Sequence, residues 1–412
     1  MALYELYKGK DYRISPTLER IQKAVDYLGF KPSYVSLQVG GTNGKGSTCA
    51  FAERILREHG YKTGWFVSPH LFDERERWRI NGEKITEERL SFYVKELKPV
   101  FERFELTYFE ACTLVALLSF EEERVDFAVF EVGMGGRWDA TKLCYPEVCV
   151  ITNIQRDHMR WLGSDAESRA VEKLGIYRRG KPLVLGSMRF PLYTKALELC
   201  DPKDLHVAGL DFFANGVVRQ SQTSMEFYQD ERLFLKDVEL GLWGRWQVDN
   251  ASLAIRATGL LIRHEPEKLR KALASTRWEG RMELVRKNPL LILDGAHNLD
   301  GIKRVVREVK KHLSGLTPVF SALKDKEWQL ALPYLRELSD RLYLVPLKHH
   351  RGEDVQKVKA VALECGFREV VVLSSSEDIL SLEEDLIVLG SLYLVGEVKE
   401  LLERGYGGKV CG

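Results

Sequence analysis

Short apolar runs rich in β-branched and aromatic residues recur through the first half of the chain, and longer stretches with a helical spacing of apolar positions separate them. That alternation is how parallel βαβ units show in a sequence. The runs 35–39, 64–67, 126–132, 148–152 and 182–185 read as buried strands, and the patterns 47–59 and 109–122 predict helices between them. The expected fold is α/β, with a doubly wound, mostly parallel sheet.

Between about 205 and 242 the texture changes to short alternating runs, 224–228 and 232–235, separated by polar turns. This predicts a small antiparallel annex, assigned to about 203–242. A helical pattern at 247–262 leads into a polar, irregular stretch at 275–288. New apolar runs then appear at 290–294, 318–321, 341–345, 369–373 and 386–389, the signature of a second, smaller Rossmann-like α/β domain. We therefore expect a first domain at 1–280 and a second at 288–412, with a linker near 276–288. A length of 412 residues suits two domains.

The charge balance narrows the partners. With 61 Lys plus Arg against 60 Asp plus Glu, the net charge is +1, and the chain lacks the broad positive field that nucleic acid or an acidic membrane would attract. Seven scattered cysteines form no CxxC pair, so neither a disulfide framework nor a zinc site is expected. The first 13 residues are charged throughout, and the uncharged stretch 386–396 falls far short of the ~20 residues of a membrane helix. These features predict a cytoplasmic protein.

The strongest chemical signal is Gly40-Gly41-Thr42-Asn43-Gly44-Lys45-Gly46-Ser47-Thr48, set between a strand ending at Val39 and a helix that Gly60 closes. Glycines let backbone N–H groups turn toward an anion, and the helix N-terminus adds partial positive charge. Lys45 can reach outer phosphates and Ser47 can offer a hydroxyl to Mg²⁺. This phosphate-binding loop points to ATP or GTP, although Val39 stands at the usual first glycine and Gly46 separates Lys45 from Ser47. A divalent ion beside a nucleotide needs hard oxygen ligands, and strand ends are where they gather. Glu131 follows the run 125–130 and precedes Gly133-Met134-Gly135-Gly136-Arg137; Asp157-His158 and Asp294-Gly295-Ala296-His297-Asn298 also follow strands.

Taken in order, the motifs resemble the folylpolyglutamate synthase and dihydrofolate synthase family of the wider Mur ligase superfamily. The likeness runs through Gly41 to Thr48, then Ser68-Pro69-His70-Leu71 with Glu76-Arg77, then Thr107-Tyr108-Phe109-Glu110. It continues in Glu131 to Thr141, Asp157-His158 with Leu162-Gly163, and Glu172-Lys173-Leu174-Gly175-Ile176. Gly244-Arg245-Trp246-Gln247 with Asn250-Ala251, Trp278 to Glu283, Asp294 to Asn298 and Asp325-Lys326 complete it.

The resemblance implies an ATP-dependent ligase that joins L-glutamate to a folate or dihydropteroate carboxylate through an acyl phosphate. Catalysis would then be positioning plus charge neutralisation on the transferring phosphoryl group. By similarity, Thr42, Asn43, Gly44, Lys45, Gly46, Ser47, Asn250, Arg281 and Asp294 contact ATP. Ser47, Ser68 and Glu131 would hold one Mg²⁺ and His158 a second, with Lys173 carbamylated as an anionic ligand. Lys45, Lys173 and His297 carry the catalytic roles, His297 near the γ-phosphate. Thr107, Tyr108, Phe109, Glu110, Asp139 and Ala140 fall on the folate side; Tyr108 and Phe109 read equally as rings that stack on a pterin or as helix packing. The family is commonly monomeric. Leu174, Gly40, Trp78, Gln155 and Arg156 depart from the family pattern, and the bulk of Trp78 and Arg156 bears on substrate preference. Two rivals stay open: a Mur-type ligase for a non-folate acceptor, and a P-loop switch without ligase chemistry.

Overall fold

The computed structural model describes residues 3–7, 16–156, 163, 165–188, 190–220 and 222–405. An eight-stranded sheet organises the first part of the chain in the order β4-β3-β2-β5-β1-β6-β7-β8. These strands are β1 (Val35–Gly40), β2 (Thr63–Phe66), β3 (Trp78–Ile80), β4 (Glu83–Lys84), β5 (Phe127–Glu131), β6 (Val148–Ile151), β7 (Leu183–Leu185) and β8 (Leu205–Val207). Those from β2 to β8 along the sheet are parallel, and β3 and β4 extend one edge antiparallel.

Burial explains why these runs pair as they do. β2, β5, β6 and β7 are buried along their whole length, as strands covered on both faces must be. One apolar cluster packs Phe66, Trp78, Phe120 and Phe130; another packs Ile151, Leu174, Ile176 and Leu183. Each of these large side chains, removed from water, contributes about 1.5–3 kcal/mol. The chain order reverses around β1, which lies between β5 and β6. At such a switch point the connections leave in opposite directions and open a crevice at the carboxyl ends of the strands.

Two differences from expectation concern where a helix begins and how a strand pairs. The helix expected at 47–59 is Lys45–Glu58, because Gly44 adopts the left-handed conformation and releases the turn two residues earlier. β8, expected within the antiparallel annex, instead pairs in parallel with β7, since its buried Leu205 and Val207 continue that core. The antiparallel sheet itself comprises β9 (Phe212–Arg219), β10 (Gln222–Gln229) and β11 (Arg232–Leu240).

A six-stranded sheet follows, in the order β12-β13-β17-β14-β15-β16. Its strands are β12 (Glu283–Lys287), β13 (Leu290–Leu293), β14 (Thr317–Phe320), β15 (Arg341–Leu344), β16 (Glu369–Val372) and β17 (Leu386–Leu389). All neighbours are parallel except β12, which is antiparallel to β13. β12 falls in the stretch read as irregular, because a half-exposed edge strand needs little apolar patterning. The chain separates into two compact units, the second beginning at Arg277 and also taking in Val217–Thr223 and Leu242–Arg245. No described helix is long and apolar enough to cross a membrane.

Candidate active site

Beyond β1 the chain turns at Gly41 (φ +136°) and Gly44 (φ +88°) before entering the helix Lys45–Glu58. Only glycine fits: a Cβ at Gly41 would lie 2.0 Å from Thr152 Oγ1, and one at Gly44 would lie 2.3 Å from Asn250 Oδ1. No side chain caps this helix and its first turn holds no acidic residue. Its leading N–H groups and the positive end of its dipole are thus kept for an outside anion. Lys45 Nζ rests on the carbonyl oxygens of Gly41 and Thr42, at 3.3 Å each, and Gly46 and Ser47 are buried in the first turn.

The end of β6 holds this loop in shape. Thr42 N–H donates to Asn153 O at 3.0 Å, and Asn43 N–H donates to Asn153 Oδ1 at 3.0 Å. Asn43 O accepts from Thr152 Oγ1 and Asn153 Nδ2, both at 2.7 Å, while Asn43 Nδ2 donates to Gln155 Oε1 at 2.7 Å. Sequence reasoning passed over Thr152 and Asn153 as supports. The available signal was two polar residues closing an apolar run beside the strand that feeds the loop. Asn250, on the helix Arg245–Gly259, is buried against Gly44 and donates to Gln247 Oε1 at 2.9 Å.

A hard-cation site requires oxygen donors that nothing else has claimed. Ser68 Oγ is buried with no hydrogen-bond partner, and Ser68 N–H donates to Glu131 Oε2 at 3.3 Å. Glu131 is buried at the carboxyl end of β5. An orphaned hydroxyl beside a buried carboxylate, near a phosphate loop, fits Mg²⁺, which takes few protein ligands and completes its shell with water and phosphate oxygens. Among the described residues there is no group of three or more His, Cys, Asp or Glu able to hold a metal. The expected second-ion ligand His158, with Asp157, lies outside the described residues. Lys173 is 3% exposed and donates from Nζ to Gly41 O at 3.1 Å, so it reaches the loop from the helix Ala166–Leu174.

The residues read as folate-side are engaged with their neighbours. Thr107 and Glu110 form a reciprocal cap on the helix Tyr108–Glu122, at 3.3 and 2.7 Å, and Arg20 clamps the Glu110 carboxylate at 3.1 and 3.2 Å. Tyr108 donates its hydroxyl to Glu74 at 2.8 Å, and the Arg77 guanidinium sits 5.2 Å from its ring centroid. Phe109 packs where a Cβ on Gly133 would come within 2.5 Å of its ring. Asp139 accepts from the N–H groups of Gly133, Met134 and Thr141 and from the Thr141 hydroxyl, tying down the glycine loop after Glu131. Burial pushes its carboxyl upward, against those four donors. Ala140 is buried beside it.

In the second unit, Asp294 closes β13. Its carboxylate accepts from Met282 N–H at 2.9 Å and Ala296 N–H at 2.8 Å. Burial raises its pKa, and the nearby Arg281 charge works against that rise. Arg281 donates to Gly280 O at 2.9 Å and presses on Gly295, where a Cβ would lie 2.4 Å from Nη1. His297 pairs Nδ1 with Gly295 O at 2.8 Å, which fixes the ring, and Asn298 caps the helix Leu299–His312.

The loop at the switch point, with its lysine and serine pair, is the equipment of a nucleotide-phosphate site, and the family matches make it that of a Mur-type ligase. Residues 39–258 match the Mur ligase middle domain, and residues 280–392 match the Mur ligase, glutamate ligase domain. The dihydrofolate synthase/folylpolyglutamate synthase of Bacillus subtilis (strain 168) is 32% identical over 95% of this chain and 96% of its own. A folylpolyglutamate synthase of Mycobacterium tuberculosis complexed with ADP superposes with a TM-score of 0.90, at 26% identity over 97% and 98% of the two chains. A bifunctional folylpolyglutamate synthase/dihydrofolate synthase with Mn, AMPPNP and L-glutamate bound gives a TM-score of 0.85, at 29% identity over 98% of each chain. The chain belongs to the dihydrofolate synthase/folylpolyglutamate synthase family.

Proposed function

We propose that this protein is an ATP-dependent ligase that adds L-glutamate to a folate or pteroate carboxylate through an acyl phosphate, with residues 1–280 as the ATP-binding domain and 288–412 as the glutamate-ligase domain. The observation that carries the reading is the uncapped helix start at Gly44, with Lys45 and Lys173 both directed at the same loop carbonyl, Gly41 O. A carboxylate is a poor electrophile because oxide is a bad leaving group. Attack of its oxygen on the γ-phosphorus breaks the bond to ADP and creates a phosphate leaving group. The glutamate amine, having lost a proton, then forms the amide and releases phosphate.

The residues divide that work. The N–H groups after Gly44 and the Lys45 ammonium offset charge on the triphosphate, while Thr42, Asn43, Gly46 and Asn250 shape the loop around it. Ser47, Ser68 and Glu131 would hold one Mg²⁺, and His158 with a carbamylated Lys173 a second; bound there, the metal supplies Lewis-acid neutralisation of the phosphates. Arg281 and Asp294 serve the nucleotide and His297 the γ-phosphate. Thr107 to Glu110, Asp139 and Ala140 act on the acceptor side, Asp139 by fixing the Gly133 loop. The protein works as a monomer in the cytoplasm.

Glutamate incorporation, measured with ATP and Mg²⁺ and with dihydropteroate and tetrahydrofolate offered in parallel, tests the reading. Incorporation into either acceptor, with ADP formed in equal amount, is expected. ATP hydrolysis indifferent to both acceptors would return the protein to the P-loop switch.

A further inference from the structure

Near the loop that follows Glu131, two large aromatic side chains stand in solvent: Trp138 is 45% exposed and Tyr145 is 39% exposed. Each lies beside a guanidinium, Arg137 at 5.3 Å from the Trp138 ring and Arg178 at 5.6 Å from the Tyr145 ring. Lys142 sits between them in the turn Ala140–Cys144. Its Nζ reaches Gly175, where a Cβ would lie 2.5 Å from Arg137 Cβ, and its carbonyl accepts from Tyr145 N–H at 3.2 Å, beside Arg178, so the three cations adjoin one another; burial, with the Arg137 and Arg178 charges, lowers the Lys142 pKa. Lys142 Nζ donates to Gly175 O at 2.8 Å and Arg178 Nη1 to Pro146 O at 3.1 Å. None of the three forms an ion pair with a carboxylate among the described residues.

Cations gathered without a counter-charge repel one another, and an arriving anion relieves that repulsion. A guanidinium lying on an aromatic face still presents its N–H edge, in the geometry a carboxylate accepts. The strip is also continuous with the active site. Arg137 N–H donates to Glu172 O at 2.9 Å, one residue from Lys173, and Asp139 fastens the same loop. At its far end the strip lies level with the amino end of β1, for Ser36 Oγ donates to Cys144 O at 2.8 Å.

Resting on the ligase reading, we propose that Arg137, Trp138, Lys142, Tyr145 and Arg178 form a docking strip for the oligoglutamate tail of an acceptor that already carries several glutamates. Each added glutamate leaves one free carboxylate along the tail. Charge therefore accumulates with length on a flexible chain, and the strip offers cations at intervals with rings to cover the methylene groups between them. A short acceptor, whose single carboxylate must stay at the phosphate loop, does not reach it.

Two measurements test this. The first titrates γ-linked pentaglutamate, without folate or ATP, against the wild type and Trp138→Phe, reading the fluorescence difference due to Trp138. A saturable change is expected at low salt, weakened roughly tenfold or more in the double variant Lys142→Glu/Arg178→Glu. The second compares KM for acceptors with one and with five glutamates in that variant and in the milder Lys142→Gln/Arg178→Gln. KM should rise for the long acceptor only, with kcat and the short-acceptor KM unchanged. No Trp138-dependent signal, or equal KM shifts for both acceptors, overturns the strip. Peptide binding without glutamate incorporation would sink the ligase reading and leave the strip standing.

Discussion

Lys173 Nζ donates to Gly41 O at 3.1 Å across 132 residues of sequence, which places a buried lysine at the floor of the phosphate loop. A cation held this close to the loop is positioned either to meet phosphate charge directly or, carbamylated, to present an anionic oxygen to a metal. The second role predicts that turnover rises with added bicarbonate and that Lys173→Gln loses both most of its turnover and that response. Bicarbonate-independent rates with no mass adduct on Lys173 would remove carbamylation from the scheme.

Lys45→Ala should leave the fold intact, because this partly exposed side chain bonds through its ammonium to the Gly41 and Thr42 carbonyls and forms no ion pair among the described residues. Losing a preorganised positive group typically costs about 10²–10³ in kcat. Unchanged turnover in a variant with a wild-type melting curve would refute the assignment.

Glu131→Gln keeps the size of the side chain at the end of β5 but removes its charge beside the unpartnered Ser68 hydroxyl. The Mg²⁺ concentration for half-maximal turnover should rise roughly tenfold or more, with less effect at saturating metal. A wild-type titration would show that the ligand set is wrong.

Gly44→Ala combines a left-handed backbone at φ +88° with a Cβ 2.3 Å from Asn250 Oδ1. The backbone penalty alone is about 1–2 kcal/mol, and the helix start must shift to relieve the contact. Calorimetry should detect no ATP binding and urea unfolding a lower midpoint. Retention of wild-type ATP affinity would mean that the helix start is not the phosphate site.

Acid should weaken folding through His264. Burial, assisted by the nearby His59, lowers its pKa to about 4, and its Nε2 shares a 2.9 Å hydrogen bond with Thr258 Oγ1. An unfolded imidazole takes up a proton near pH 6.5. Between about 4 and 6.5 the unfolded state therefore binds the extra proton, and stability falls as pH falls through that window. Urea midpoints at pH 7 and pH 5 should converge in His264→Gln relative to wild type; an equal drop in both would exclude this histidine as the source.

Legibility in the sequence followed the range of each interaction. The loop from Gly41 to Ser47 and the strand ends at Glu131 and Asp294 were readable, because a strand, a glycine turn and a helix start are local and chemically constrained. The short strands β3, β4 and β12, at or next to a sheet edge, were not, since two to five residues, most of them partly exposed, leave no clear alternation. Thr152 and Asn153 escaped notice for another reason: their function is to hold Asn43, which lies 109 and 110 residues away.

Tyr108 shows where the division falls. Its place beside the helical pattern at 109–122 was legible, and so was the choice between stacking on a flat ring and packing in a helix. Its hydroxyl engagement by Glu74 and the cation beside its ring depend on the folding back of a distant segment. The sequence alone determined the parallel α/β architecture and the anion-binding chemistry of one glycine loop, because periodicity and backbone conformation are properties of neighbouring residues. Tertiary structure alone decided that Lys173 and Asn250 meet that loop, that Asp139 is spent on holding a neighbouring one, and that three cations share a strip. Those outcomes rest on the packing of helices against a twisted sheet, whose geometry no local pattern encodes.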